Sequence, residues 1–447
     1  MTHTILVPSS LVEVKMELER LRTVEAARHV GQRVKLAGWL HALRKMGSLS
    51  FLVVRDGFGT FQAVLHDVSA LAHCQVESII EVEGMVVTEP QAPGGAELRD
   101  CVVRVLVPIA EPPPFSINKP EVKASLDVFL NHAPVGLRHP AQRALFRIQA
   151  GLMAAFRAYL TSQGFTEVQT PKLVGSATES GANVFTVNYF GKRAYLAQSP
   201  QFYKQLMVGV FERVFEVGPV FRAEPHATVR HLNEYVSLDV ELGFIRDHHD
   251  VMAVLNQLIA AMLDHVQQQH AADLALAGVS LPQVPRSIPD IDFRAAQTLM
   301  AENAGWDPRG EPDLAPADEK WLGDWARETL GSDFLFVTGY PAEKRPFYTM
   351  PAPHDPTVTN GFDLLFRGTE LVTGGQRIHV YSQLVEAARA KGVAPESIAG
   401  YLEAFRFGMP PHGGFAIGLE RFVMLIAGLA NLREASLFPR DIHRLSP

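Results

Sequence analysis

Two stretches of this chain place charged side chains where a polyanion would need them. The first is Phe221-Arg222-Ala223-Glu224, with Arg230-His231-Leu232-Asn233-Glu234-Tyr235 beginning eight residues after Arg222. It lies between two apolar runs, Val214–Phe221 and Tyr235–Phe244, that read as strands. A strand, a polar loop and a returning strand present Arg222 and Glu224 at a sheet face and carry Arg230 and His231 over whatever binds there. A guanidinium is permanently charged and bidentate, which suits phosphate oxygens. Taken alone, the segment is read more simply as an ordinary Arg–Glu pair on a hairpin. The second stretch is Gly413-Gly414-Phe415-Ala416-Ile417-Gly418-Leu419-Glu420-Arg421-Phe422, a glycine-rich strand running into an apolar helix. Glycines let backbone approach a ligand closely, and Arg421 at the helix start can reach a nucleotide's charge or ring face. Neither a P-loop nor a Rossmann fingerprint is present, so a nucleotide here needs another scaffold.

Together with the amphipathic run Ala141–Gln163 and the segment Phe165-Thr166-Glu167-Val168-Gln169-Thr170-Pro171 that follows it, these stretches resemble motifs 1, 2 and 3 of the class II aminoacyl-tRNA synthetases in order and separation. The likeness covers nearly all of the chain after about residue 22. It is nearest to the archaeal-type aspartyl-tRNA synthetases, down to Leu437-Phe438-Pro439-Arg440-Asp441. It implies activation of aspartate with ATP and transfer of the aspartyl group to the 3′-hydroxyl of tRNA, with Arg222, Glu370 and Arg421 as catalytic residues. It also implies a homodimer with Pro171 at the contact.

The same resemblance distributes the remaining roles. Aspartate is expected against Glu179, Gln201, Lys204, Arg222, Asp239, Thr373 and Arg377. Lys204 and Arg377 form a cationic clamp for its side chain, and Glu179 and Asp239 face its ammonium. Two carboxylates and one amine require that mixture of charges. Glu179 sits in the loop Ala177-Thr178-Glu179-Ser180-Gly181-Ala182, which is expected to close over substrate and exclude water. For ATP, Arg222 is expected on the α-phosphate, Arg421 and Tyr235 on opposite faces of adenine, and Arg230 and His231 on the outer phosphates. Glu224, Leu232, Glu370, Gly418, Leu419 and Glu420 complete the nucleotide site. Glu370, Asp363 and Thr373 are expected to organise Mg2+, a hard ion that suits carboxylate oxygens. Thr373 stands where the family usually has Ser.

These residues need elements to hold them. Helices are expected at about 141–163, 200–209, 250–269, 383–406 and 419–430, alternating with apolar strands in a large α+β domain. Leu11, Val14, Leu18, Leu21 and Val24 recur at spacings of three and four, predicting a short helix over 11–29. Beyond it lie five β-rich runs: Val34–Arg44, Leu49–Arg55, Thr60–His66, Ser78–Val87 and Asp100–Ala110, with turn chemistry at Asp56-Gly57-Phe58-Gly59. Five strands in so short a stretch fit an OB-fold barrel, with an SH3-like barrel as the alternative. Glu111-Pro112-Pro113-Pro114 marks a boundary. The expected organisation is an extension over 1–21, an anticodon-binding OB-fold over 22–111, a linker or hinge over 112–140, and a catalytic domain over 141–447. The family's catalytic domain is an antiparallel sheet flanked by helices. Residues 281–333, rich in Pro, Asp and Ala, read as an insertion.

Composition bounds the partners. Charged residues make up 20% and hydrophobic residues 47% of 447, a globular balance. There is no run of eighteen apolar residues and no leader pattern, so a cytoplasmic protein without a membrane partner is expected. Cys74 and Cys101 lack the paired spacing of a zinc site or a disulfide framework. A net charge of -7 gives no general attraction for nucleic acid, so tRNA must meet a local basic surface. Arg33, Lys35, Arg44 and Lys45 supply candidates. By the resemblance, Phe51 stacks on, Gln62 bonds to and Arg44 flanks the central anticodon base. His41 and Pro93 match the relaxed form of the family, which implies charging of both tRNA(Asp) and tRNA(Asn) and a functional link to a tRNA-dependent amidotransferase. Two rivals share the scaffold, an asparaginyl-tRNA synthetase and a synthetase-like amino-acid ligase not acting on tRNA. Lys204 argues against the first, and an intact barrel and Arg222 against the second.

Overall fold

Along Arg33–Met46 (β2) and Leu49–Arg55 (β3), apolar side chains alternate with polar or partly exposed ones, so each strand buries one face. With Thr60–Leu65 (β4), Ile79–Thr88 (β5) and Ala96–Val107 (β6), they close into a barrel, because β2 pairs with both β3 and β5. Val34, Leu36, Leu52, Val54, Ile80, Val82 and Leu98 fill its interior. This is the OB-fold. The computed structural model describes residues 18–175, 184–226 and 228–446. The chain divides into two compact units, Met1–Ser125 and Leu126–Pro447.

The helix expected over 11–29 is absent from its described part. Arg20–Leu21 (β1) instead pairs parallel to β2, and Ala26–His29 is a single 3-10 turn. The cause is tertiary: the Thr23 backbone N–H and hydroxyl donate to the buried Asp56 carboxylate at 2.8 and 2.7 Å, pinning the chain to the barrel. Residues 1–17 lie outside the described region.

The stretch 112–140 is only in part a linker, since helices Leu126–Asn131 (α1) and Ala133–Gly136 (α2) precede Pro140–Ser162 (α3). The second unit is built on an eight-stranded sheet. Its strands are Thr166–Glu167 (β7), Arg213–Phe221 (β11), Glu234–Gly243 (β12), Asp290–Asp292 (β13), Phe334–Thr338 (β14), Gly361–Phe366 (β15), Thr369–Arg377 (β16) and His412–Gly418 (β17), in the order β13-β14-β15-β16-β17-β12-β11-β7. Six of them are mutually antiparallel, and β13 and β7 add parallel edges. Leu173–Val174 (β8), Thr186–Tyr189 (β9) and Lys192–Leu196 (β10) form a separate small sheet.

Helices α3, His248–Gln269 (α5) and Leu419–Ala427 (α11) cover one sheet face through Leu152, Phe156, Leu255, Ile259 and Phe422, packed on Phe215, Leu238 and Phe415. Gln201–Phe211 (α4), Tyr381–Ala390 (α9) and Ala399–Arg406 (α10) share a further core with Tyr348 and Ile378. The run 383–406 is thus two helices, broken where Gly392 takes a φ of +73° ahead of Pro395. Ala271–Ala277 (α6) follows α5. The stretch 281–333 supplies β13, Phe293–Asn303 (α7) and Pro316–Leu330 (α8), which pack on β14 and β15 around Phe293, Leu322 and Tyr340.

Candidate active site

Pleat alternation decides what faces the cavity. Leu238 and Val240 of β12, and Phe415 and Ile417 of β17, point into the helix-covered core. Their neighbours Ser237, Asp239, Ala416 and Gly418 must therefore point the other way, and they line a cavity of about 450 Å³. Asp239, Ala416 and Thr373 pair across three adjacent strands, so a small central side chain leaves the trough between two polar ones.

The floor is a buried ion network. Lys204, from α4, places its ammonium 3.1 Å from Asp239 Oδ1 and 3.3 Å from Glu241 Oε2, and donates to the Phe415 carbonyl at 3.1 Å. Arg377 donates through Nε to Glu241 Oε1 at 2.9 Å and through Nη2 to the Gly414 carbonyl at 3.0 Å. Burial by itself would raise the Glu241 carboxyl, but Arg377 and then Lys204 hold it below the usual carboxylate range. Gly414 makes the arrangement possible, because a Cβ there would fall 2.1 Å from both Glu241 Oε2 and the Val240 carbonyl oxygen. The two cations of the expected clamp therefore differ. Lys204 is already saturated by acids and carbonyls, whereas Arg377 is oriented by Glu241 and keeps Nη1 for the cavity. Gln201 Nε2 is also buried without a hydrogen-bond partner at the same end.

At the other end stand Arg222, Glu224, Arg230, His231, Leu232, Tyr235, Glu420 and Arg421. Arg222 continues β11 opposite Asn233, and its guanidinium lies 5.8 Å from the Tyr235 ring centre. A Cβ added to Gly418 would sit 3.8 Å from Arg421 Cβ and 3.9 Å from the Tyr235 ring, so these two side chains flank one slot whose base is a glycine. Burial lowers the His231 imidazole, against the opposing charge of Glu224 and with Arg421 reinforcing it. Burial also pushes the Glu420 carboxyl up to about 7, although it accepts the Val236 N–H.

Between the two ends lies Glu370. Its side chain keeps 40% of its surface, turned into a protein-walled cavity, which makes it reachable yet poorly solvated. Burial first and Asp363 second raise its carboxyl, a setting that favours a bound cation. Thr373 Oγ1 donates to Glu370 Oε1 at 3.2 Å, so two hard oxygen donors of the kind a divalent ion takes lie side by side. Asp363 does not join them in the lining. Arg345 grips it in a fork at 3.0 and 2.7 Å, which leaves it as a charge beside Glu370.

One further expectation needs revision. Leu419 is 1% exposed and belongs to the core. Glu179 lies outside the described residues. Sequence reasoning also missed Arg345, Ser237 and Glu319. Ser237 was legible, being two residues before Asp239 on the same strand face. Glu319 of α8 was not, since nothing in its local sequence ties it to Glu370, whose backbone N–H donates to it at 3.0 Å. Burial pushes the Glu319 carboxyl up to about 7.

On the barrel, Arg44 pairs with Phe51, and Phe51 and Gln62 alternate with the core residues Leu52 and Phe61, so all three share an outer face. Gln62 donates to Glu97 at 2.9 Å. Arg55, itself paired with Glu77 at 2.7 Å, donates to His41 Nδ1 at 3.0 Å. Pro93 is exposed and opens a turn with Gly94 and Gly95. Lys35, by contrast, is 8% exposed and 3.9 Å from Glu81, so it drops out of the basic surface. No helix among the described residues is long and apolar enough to cross a membrane.

Residues 125–442 match the family model described as tRNA synthetases class II (D, K and N), and residues 34–106 match the OB-fold nucleic acid binding domain. The chain is 49% identical over 435 residues to a Deinococcus radiodurans protein named aspartate–tRNA(Asp/Asn) ligase, covering 96% of this chain and 99% of that one. A Thermus thermophilus protein of the same name is 49% identical over 419 residues, covering 94% and 98%. Among solved structures, the asparaginyl-tRNA synthetase of Pyrococcus horikoshii complexed with asparaginyl-adenylate superposes with a TM-score of 0.88 at 30% identity, covering 96% of this chain and all of that one.

Proposed function

We propose that this chain, which belongs to the class II tRNA synthetases of the D, K and N group, is an aspartate–tRNA ligase that charges both tRNA(Asp) and tRNA(Asn). The observation that carries the amino-acid choice is the cavity floor. Arg377, fixed edge-on by Glu241, offers its remaining Nη1 edge to a side-chain carboxylate, and Asp239 faces an ammonium. The amine of a bound aspartate takes the Asp239 oxygen that Lys204 holds, and the released Lys204 N–H turns to the substrate carboxylate. The exchange keeps the floor neutral. Asparagine brings the amine without the second anion and leaves a cation uncompensated, which is costly in a buried site.

ATP lies with adenine in the slot between Tyr235 and Arg421 and the α-phosphate at Arg222. Arg230 and His231 reach the outer phosphates. Glu370 and Thr373 would hold Mg2+, which supplies charge neutralisation across the phosphates. The aspartate α-carboxylate oxygen forms a bond to the α-phosphorus as the bond to pyrophosphate breaks. The tRNA 3′-hydroxyl then attacks the aspartyl carbonyl, and AMP leaves. No protein nucleophile is needed, because catalysis is positioning and charge stabilisation.

Arg44, Phe51 and Gln62 form the anticodon face, with His41 and Pro93 beside it setting relaxed choice at the third base. Aspartate on tRNA(Asn) requires a later amidation, which links the enzyme to a tRNA-dependent amidotransferase. The exposed Pro171 and Leu173, near the end of motif 1, support a homodimer. A cytoplasmic location fits these substrates. Charging assays with pure transcripts test the double specificity: comparable aspartylation of both supports it, and strong preference for the Asp transcript refutes it.

A further inference from the structure

Helix α8 lies in the stretch 281–333, for which the aminoacylation chemistry names no task, yet its first turn reaches the phosphate end of the cavity. Of its two leading acids, Asp318 is used within the helix start, accepting from Ala315 N and Trp306 Nε1, both at 2.8 Å. Glu319 points the other way. Its Oε2 accepts the Glu370 N–H at 3.0 Å and lies 3.8 Å from Arg230 Nη1. The carbonyl of the same Glu370 accepts from Arg421 Nη1 at 2.9 Å, so one peptide residue is held from both sides, by α8 and by α11.

The placement of Glu319 is fixed one helical turn later. A Cβ on Gly323 would fall 2.3 Å from Gly368 N and 2.4 Å from Gly368 Cα, and one on Gly368, whose φ is +71°, would fall 2.9 Å from Lys320 Cα. Backbone rests on backbone. The helix therefore has no freedom to slide along the turn between β15 and β16, and Glu319 is delivered to the first residues of β16.

We propose that Glu319 is a positioning residue for the ATP-phosphate end of the site, setting the Glu370 backbone through its hydrogen bond and holding Arg230 over the cavity through its charge. Helix α8 is then part of the nucleotide site. This rests on the reading of the cavity as an ATP site.

The test is aspartate-dependent ATP–pyrophosphate exchange by the full chain at saturating Mg2+ and about pH 8.5, above the value of about 7 at which burial sets the Glu319 carboxyl, with ATP and aspartate varied in turn. Glu319→Gln still accepts the Glu370 N–H but has no charge for Arg230, so KM for ATP rises about tenfold while KM for aspartate stays within about twofold. Glu319→Ala also loses the backbone bond and lowers kcat by a further factor of about ten. On an Arg230→Ala background, Glu319→Gln adds no further rise in KM for ATP, since the charge acts through Arg230. Equal rises in both KM values, an unchanged KM for ATP, or full additivity with Arg230→Ala overturns the proposal. If Glu319→Ala lowers the thermal midpoint, the Gln variant and the double-mutant cycle still decide it. A wild-type enzyme without aspartate-dependent exchange overturns the ATP reading itself, whereas normal wild-type exchange with unmoved variants overturns only the role of Glu319.

Discussion

The Lys204 ammonium stands 3.1 Å from Asp239 Oδ1 at 1% residue exposure, so a cation expected to meet substrate is already paired with the acid expected to meet the substrate's amine. Such a pair is weak evidence of net stabilisation, because desolvation offsets attraction. Its removal from one side is another matter.

Lys204→Met leaves Asp239 and Glu241 with Arg377 as the remaining floor cation. Breaking a buried pair from one side costs about 3–5 kcal/mol. Urea unfolding at neutral pH should show a loss of that order together with loss of aspartate binding. A variant within about 1 kcal/mol of wild type would mean that Lys204 is not part of the charge balance.

Gly414→Ala places a methyl 2.1 Å from the Glu241 carboxylate and the Val240 carbonyl. Neither can retreat, since Val240 lies in a central strand and Glu241 is held by Arg377. Destabilisation of about 2–4 kcal/mol is expected, as for other overpacked core sites. Soluble variant that persists should lose aspartate affinity before ATP affinity. Normal aspartate KM would contradict the role assigned to the floor.

His412 provides a pH test. Burial lowers its imidazole to about 4, and its Nδ1 bonds to the Pro410 carbonyl. Between about 4 and the ordinary histidine value of 6.5, the unfolded chain holds a proton there that the folded chain does not. Stability from this group is thus complete above 6.5 and lost as pH falls toward 4, by at most about 3 kcal/mol. His248, also lowered to about 4, has the same sign. His412→Gln should flatten that part of the profile in denaturant titrations at pH 5 and 7.5. An unchanged slope would show that His412 titrates normally in the fold.

Arg222→Ala removes the guanidinium assigned to the α-phosphate while leaving the core intact, since Arg222 sits on the rim at the end of β11. Exchange should fall by about 10²–10³, the usual loss for one charge-stabilising donor, with the thermal midpoint little changed. Near-normal exchange would remove Arg222 from the chemistry.

Much of this was legible because it is periodic or local. Five short β-rich runs with turn chemistry at Asp56-Gly57-Phe58-Gly59 revealed the barrel, and Arg222, Arg230, Tyr235, Gly418 and Arg421, scattered in sequence, do line one cavity. Three features were hidden because their causes are distant in sequence. Thr23 is pinned by Asp56, which turns an apparent helix into a strand and a 3-10 turn. Arg345 pairs with Asp363 across eighteen residues, and Asp363 does not line the cavity. Glu319 meets Glu370 only because Gly323 and Gly368 let backbones touch. Partner choice among charges is a tertiary outcome: residue type and spacing reveal which side chains can ionise, not which of them saturate one another.

Aspartate activation is tested most directly by ATP–pyrophosphate exchange with aspartate and asparagine offered separately to the wild-type chain. Rapid exchange with aspartate and little with asparagine is expected, in line with a floor that must receive a second anion to stay neutral. Equal or greater exchange with asparagine, or none with either, would contradict it.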